Sequence, residues 1–323
     1  MLEVTGLHVE FRTRDGVVRA VNGVSYHVDR GEALAILGES GSGKSVSAHA
    51  VMGLIDSPPG YVTAGEIRYR GEDILALPEA RRRELRGRRI AMIFQDALSA
   101  LNPVFSVGDQ IAEMYRVHEG LSRSDARERA VRMMDRVHIP SARARYGDYP
   151  HQFSGGMRQR IMIAMALALG PDVLIADEPT TALDVTVQAQ IMELLAELQR
   201  EHRMALILIT HDLGVVADVA DRIAVVYAGR VVEAGTVREL YKRPAHPYTE
   251  GLLRSLPRVD QKGRDLTPIG GSPPNLLHVP PGCPFHPRCP YAREVCRTEQ
   301  PPLQVLATGR ESACHFAAEV LGG

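Results

Sequence analysis

Residues 38–45 read "GESGSGKS", which fits Gly-x-x-x-x-Gly-Lys-Ser. Directly before them runs "EALAILG" (32–38), an apolar stretch with the pattern of a buried strand ending in glycine. Directly after them, "KSVSAHAVMGLI" (44–55) suits a helix. Strand, glycine-rich turn and helix in that order are the setting a phosphate-cradling loop needs. The glycines let backbone N–H groups wrap around phosphate, and the helix N-terminus adds a favourable dipole. Gly38, Glu39, Ser40, Gly41, Ser42 and Gly43 then form the cradle, and Val46 follows in the helix. Lys44 is expected to neutralise the β and γ phosphates of a nucleotide, and Ser45 to coordinate Mg²⁺.

Two further buried strands end on groups suited to phosphate chemistry. "VLIADE" (173–178) places two carboxylates after four apolar residues. Asp177 at the strand end is expected to support magnesium. Glu178, one residue further, would face the γ-phosphate and polarise the attacking water. "ITHD" (209–212) ends another apolar run with His211, expected to contact the γ-phosphate. "FSGGMRQR" (153–160) opens the apolar helix "RQRIMIAMALAL", so Ser154, Gly155 and Gly156 make a second phosphate site at a helix start. Two such sites in one chain make sense where two chains share nucleotides.

The remaining pattern is that of an α/β protein. "LEVTGLHVEF" and "VNGVSYHV" alternate as strands, "GEIRYRGEDI" (65–74) reads as an exposed strand between glycine turns, and "RIAMIFQD" (89–96) as a buried one. "SRSDARERAVRMMDRVHI" (122–139) starts as a helix, with Ser122 and Asp125 in capping positions. "VTVQAQIMELLAELQREH" (185–202) carries Val187, Ile191, Leu194, Leu195 and Leu198 on one stripe. "RIAVVYAGRVVEAG" (222–235) reads as a hairpin turning at Gly229. Buried strands alternating with helices imply a parallel sheet.

The 323 residues carry 38 basic and 39 acidic side chains, a net charge of −1, so no global basic field exists to hold nucleic acid. The basic run "ARRRELRGRR" (80–89) reads as a solvated face. No stretch reaches the ~20 apolar residues that span a bilayer. The first residues alternate like a strand and lack the plan of a signal peptide, so a cytosolic chain is expected.

With these motifs in order over residues 1 to about 240, the sequence resembles the ATP-binding cassette ATPases, the nucleotide-binding subunits of ABC transporters. The resemblance implies a P-loop NTPase (RecA-like) α/β core over 1–240. It adds an N-terminal antiparallel β subdomain and an inserted α-helical subdomain at about 96–165. Gln95 matches the Q-loop glutamine, expected near Mg²⁺. "TALD" (181–184) matches the D-loop with Asp184, and Phe11 stands where the family stacks an aromatic ring on adenine. The signature departs from the commonest form, with Phe153 at its start and Met157 at its end, yet keeps Ser154, Gly155 and Gly156 for the partner's ATP.

Within the family, "IFQDALSALNP" (93–103), "RPAHPYTEGLLRSLP" (243–257) and "PPGCPFHPRCPYA" (280–292) are similar to the oligopeptide, dipeptide and nickel importer group. The resemblance implies ATP hydrolysis driving binding-protein-dependent import, with peptide as the leading solute and nickel or another small solute as the alternative. The implied partners are a paralogous ATPase in the sandwich, two integral-membrane permease subunits and an extracytoplasmic solute-binding protein. The implied place is peripheral, on the cytoplasmic face of the inner membrane. A soluble ABC ATPase acting on DNA or ribosomes is the rival, usually with two cassettes or a coiled-coil insertion. A plain P-loop kinase or GTPase leaves "SGGMRQR" and the D-loop unexplained.

Residues 241–323 form a proline-rich extension that holds all four cysteines, Cys283, Cys289, Cys296 and Cys314. Their spacing lacks paired Cys-x2-Cys knuckles. Thiolates suit an iron–sulfur cluster or zinc, the latter with His286 or His315 assisting. Disulfides or plain packing are the other readings. The resemblance favours a [4Fe–4S] cluster stapling the extension.

Overall fold

The computed structural model describes residues 1–181, 183–255, 269–307 and 309–322. Two compact units divide the chain: Met1–Val28, Ala33–Ala76 and Ile209–Gly323 in the first, Asp29–Glu32 and Leu77–Leu208 in the second.

The first unit begins with an antiparallel sheet. Leu2–Thr13 pairs with Gly16–Val28 on one side and Gly60–Tyr69 on the other. These strands are longer than the alternating runs suggest, because the alternation changes parity on the way. Leu2 and Val4 face inward, and so do Leu7 and Val9. The register shifts between Val4 and Leu7, where Gly6 takes a φ of 55°. One inserted residue thus keeps both apolar pairs on the core face. The stretch 65–74 is not one exposed strand. Gly60–Tyr69 turns at Arg70 and Gly71, both at positive φ, into the short strand Glu72–Asp73. Ile67 and Tyr69 on its inner face are buried.

The same unit holds Ala33–Leu37, every residue of it buried, parallel to Arg222–Tyr227. Burial on both faces is why this strand reads as an unbroken apolar run. Arg222–Tyr227 returns as Arg230–Thr236 across Ala228 and Gly229, at φ of 48° and 75°, in the hairpin expected to turn at Gly229. Glu311–Ser312 pairs outside Arg230–Thr236, and Gln304–Val305 pairs outside that. The helix after the phosphate loop covers Lys44–Met52, three residues shorter than expected, because Gly53 at φ 61° ends it in the left-handed conformation.

In the second unit Ile90–Ile93 lies parallel to Val173–Asp177, with Ile90 opposite Val173. Helices Val107–Glu119, Arg123–Arg136, Gly155–Leu167 and Val185–His202 belong to it. Ser122 caps the second as expected, its hydroxyl accepting from Asp125 N at 3.1 Å. That helix stops at Arg136, short of the expected 139, and His138 beyond it takes a positive φ of 59°. Along Val185–His202 the stripe residues Ile191, Leu194, Leu195 and Leu198 are buried, while Val187 is half-buried.

Candidate functional site

The phosphate loop is a closed backbone arch. Gly38 and Gly43 take φ of 156° and 102°. A Cβ on Gly38 would stand 2.2 Å from Val226 O, and one on Gly43 2.1 Å from Ala20 O. Only glycine fits either place. Lys44 is buried, and its Nζ donates to Gly38 O at 2.7 Å and Glu39 O at 2.9 Å. A buried ammonium held by the carbonyls of a glycine arch has the chemistry of a nucleotide-phosphate receptor. Ser45 and Val46 sit in the first turn of helix Lys44–Met52. Phe11 is half-buried in strand Leu2–Thr13, its ring over Gly60, where a Cβ would come within 2.9 Å of Cε1. His211 is exposed just past Ala205–Thr210, and Asp212 beside it caps Leu213–Val219 through Gly214 N at 2.8 Å.

In the second unit Asp177 is 3% exposed at the end of Val173–Asp177. Glu178 follows at φ 44°, a conformation uncommon for a non-glycine residue and worth a functional explanation. Its carboxylate accepts from Gln95 Nε2 at 3.0 Å and Thr181 Oγ at 2.9 Å. Gln95 and Glu178, distant in sequence, therefore meet. Ser154 caps Gly155–Leu167 through Met157 N at 3.4 Å, leaving Ser154 and Gly155 exposed at the helix start. Gly156 is pressed against the next helix: a Cβ there would lie 2.5 Å from Val187 Cγ1. Asp184 caps Val185–His202 through Val187 N at 3.0 Å. Ala182 of the D-loop stretch lies outside the described residues, as does 256–257 of the stretch 243–257.

Sequence reasoning missed what grips Glu39. Arg288 donates to both its carboxylate oxygens, at 2.6 and 2.9 Å, and Tyr248 OH accepts from its backbone N–H at 2.8 Å. An acidic side chain inside a phosphate-receiving loop was the available signal, since such a charge calls for a cation.

The four cysteines are free of disulfides. Burial pushes the Cys289 and Cys314 thiols up to about 11, with the charges of the neighbouring cysteines adding to the rise. Burial raises Cys283 as well. Among the described residues, however, no three His, Cys, Asp or Glu side chains are grouped to hold a metal ion. The expected [4Fe–4S] site at Cys283, Cys289, Cys296 and Cys314 thus finds no support in the geometry, and neither does zinc with His286 or His315. His286 Nδ1 instead lies 3.0 Å from Cys283 O, and His315 Nε2 lies 3.0 Å from Glu299 O. Among the described residues no helix is long and apolar enough to cross a membrane.

A glycine arch closed on a buried lysine, with an Asp–Glu strand end and a serine-capped glycine helix start, defines a nucleotide-binding cassette. The chain belongs to the ATP-binding subunits of ABC transporters. The family model described as "ABC transporter" matches residues 21–181, and "Oligopeptide/dipeptide transporter, C-terminal region" matches 232–296. The oligopeptide transport ATP-binding protein OppD of Salmonella typhimurium is 53% identical over 99% of this chain and 95% of its own length. The dipeptide transport ATP-binding protein DppD of Escherichia coli is 51% identical over 100% of this chain and 98% of its own. Among solved structures, the ATP-binding cassette MJ0796 in a dimeric post-hydrolysis state bound to ADP and Pi matches with a TM-score of 0.66 and 26% identity. It covers 74% of this chain and 99% of that one.

Proposed function

We propose that this chain is the ATP-hydrolysing subunit of a peptide importer, powering binding-protein-dependent uptake through separate permease subunits. The observation that carries this is near-complete alignment, at about half identity, with ATP-binding proteins of both oligopeptide and dipeptide transport. In this reading 1–240 is the cassette, about 96–165 its helical subdomain, and 241–323 the extension. Lys44 and the arch 38–43 bind the phosphates of ATP. Phe11 stacks on adenine, and Val46 lies behind the loop. Ser45, Asp177 and Gln95 hold Mg²⁺, which when bound would polarise the phosphates.

Glu178 accepts a proton from the attacking water, and its carboxylate is oriented by Gln95 and Thr181. His211 contacts the γ-phosphate. Ser154, Gly155 and Gly156 act on the ATP of a partner cassette, and Asp184 lies beside that junction. The partner is a paralogous ATPase, and the assembly adds two permeases and an extracytoplasmic binding protein at the cytoplasmic face of the inner membrane. Nucleic acid has no part in it.

For the cysteines, a [4Fe–4S] cluster, or zinc as the alternative, rests on donor chemistry and on the family resemblance. Iron, sulfide and zinc analysis of anaerobically purified protein tests it: four iron and four sulfide per chain support the cluster, and metal-free protein overturns both metals.

The transport reading is tested by co-expressing the chain with its permease and binding-protein partners and measuring peptide-stimulated ATP hydrolysis in liposomes. Stimulation by di- or oligopeptides is expected. Stimulation by a nickel complex alone would transfer the reading to that solute, and co-purification with ribosomes or nucleic acid would overturn it.

A further inference from the structure

Glu39 poses an electrostatic problem. It puts a carboxylate in the loop that receives a polyanion, where like charges repel. The solution comes from 249 residues away. The Arg288 guanidinium meets the carboxylate with both arms, at 2.6 and 2.9 Å, and its side chain is 4% exposed. Bidentate pairs of this kind fix geometry as well as charge. Arg288 is itself held. Its Nε donates to Gly270 O at 2.9 Å, and the guanidinium stands 5.8 Å from the Tyr227 ring and 5.9 Å from that of Phe285. Phe285 is buried against Tyr227, Tyr248 and His246.

The segment carrying Arg288 is a tight knot. Cys283 N donates to Cys296 O at 2.8 Å, His286 N to Cys283 O at 2.9 Å, and Arg288 N to Phe285 O at 3.0 Å. Pro284 and Pro287 stiffen it further. Glu39 is therefore gripped three ways: its side chain by Arg288, its N–H by Tyr248 and its carbonyl by Lys44. Two of the three grips come from beyond residue 240.

We propose that Arg288 is a positioning residue for nucleotide binding. It neutralises Glu39 and fixes the phosphate loop in its arched shape, so that ATP affinity depends on the cysteine-bearing segment 283–296. This rests on the reading of residues 38–45 as the phosphate loop for ATP.

Mg-ATP titration and ATPase assays of the purified full-length chain test it. Arg288→Ala is expected to weaken ATP binding by about tenfold, equivalent to about 1.4 kcal/mol. The loss should appear as a raised KM, with kcat falling less than about twofold. Arg288→Lys keeps a charge and much of the packing but loses the fork, and should fall between. It carries the test if Arg288→Ala does not fold, and wild-type affinity in the lysine variant then overturns the proposal. Glu39→Gln removes the charge that Arg288 answers, so Arg288→Ala/Glu39→Gln should bind no more weakly than Glu39→Gln alone.

Hydrogen exchange of residues 38–44 should quicken in Arg288→Ala without nucleotide. Wild-type affinity in Arg288→Ala, or losses that simply multiply in the double variant, overturns the proposal. Lys44→Ala separates this from the underlying reading. If wild type binds Mg-ATP and Lys44→Ala does not, the loop assignment stands whatever Arg288 does. A wild-type chain that binds no Mg-ATP overturns both.

Discussion

Acidification should destabilise the C-terminal part of the molecule through the buried side chain of His246. It caps the helix Pro247–Arg254, its Nδ1 accepting from Tyr248 N at 3.1 Å. Only a ring with an unprotonated Nδ1 can accept there. The ring is buried and packs against Phe285, and burial pushes its pKa down from 6.5 to about 4. The sign follows from linkage. Above pH 6.5 neither state holds the proton and the full contribution is present. Between 6.5 and about 4 the unfolded chain takes up a proton that the folded one refuses, so stability falls.

The full span corresponds to about 3 kcal/mol, of which about 2 kcal/mol is lost by pH 5. His246→Asn offers Oδ1 as a replacement cap acceptor and does not titrate. The chain has no tryptophan, so urea unfolding is followed by circular dichroism, at pH 7.5 and 5.0. Wild type starts more stable, and the gap between the two proteins should narrow by about 2 kcal/mol at the lower pH. Buried Glu233, whose carboxylate accepts from His246 N at 3.0 Å, has its pKa raised by burial and titrates with the opposite sign. It is common to both proteins and cancels in the difference. Stability curves that stay parallel from pH 7.5 to 5.0 would refute the assignment of the loss to His246.

Three further substitutions probe the site. Glu178→Gln should keep ATP binding and lose at least about a hundredfold in hydrolysis, trapping a closed dimer; unchanged turnover sinks its role as base. Gly43→Ala meets Ala20 O at 2.1 Å and must adopt φ 102°. The left-handed backbone alone costs about 1–2 kcal/mol. Nucleotide binding should vanish, and an alanine variant that binds ATP normally would contradict the arch. Gly156→Ala presses Val187 at 2.5 Å and should cost roughly 1–3 kcal/mol in thermal unfolding. Val187→Ala should restore most of that loss; no rescue would place the strain elsewhere.

Much of this was legible because local rules and global packing agree. The run "EALAILG" reads as a strand because both its faces are buried, and Ala228–Gly229 turns because both residues take positive φ. Asp177 and Glu178 are legible as candidates because a buried strand delivers them at its end, whereas Gln95 is legible only through the family resemblance. What stayed hidden depends on contacts distant in sequence. The parity change at Gly6 is invisible to strict alternation, since it needs the partner strand to define inside from outside. The early stop at Met52 was signalled by Gly53 but outweighed by the apolar residues beyond it. That Glu39 needs a cation is legible, but not that Arg288 supplies it, because a proline-rich stretch has no periodicity to say what it faces. For the cysteines, donor chemistry and resemblance suggest a ligand set, whereas among the described residues no three such side chains are grouped to hold a metal ion.

The short strand Glu311–Ser312 has a consequence beyond the site. It occupies the outer hydrogen-bonding edge of Arg230–Thr236, whose Val231 and Val232 are buried, and Ser312 Oγ fastens it to Ala245 O at 2.9 Å. Proteolytic loss of residues 311–323 would uncover unsatisfied amides beside apolar side chains. Such an edge recruits strands from other molecules. The extension is thus also a guard against self-association, and its removal should be read out first as turbidity rather than as lost ATPase.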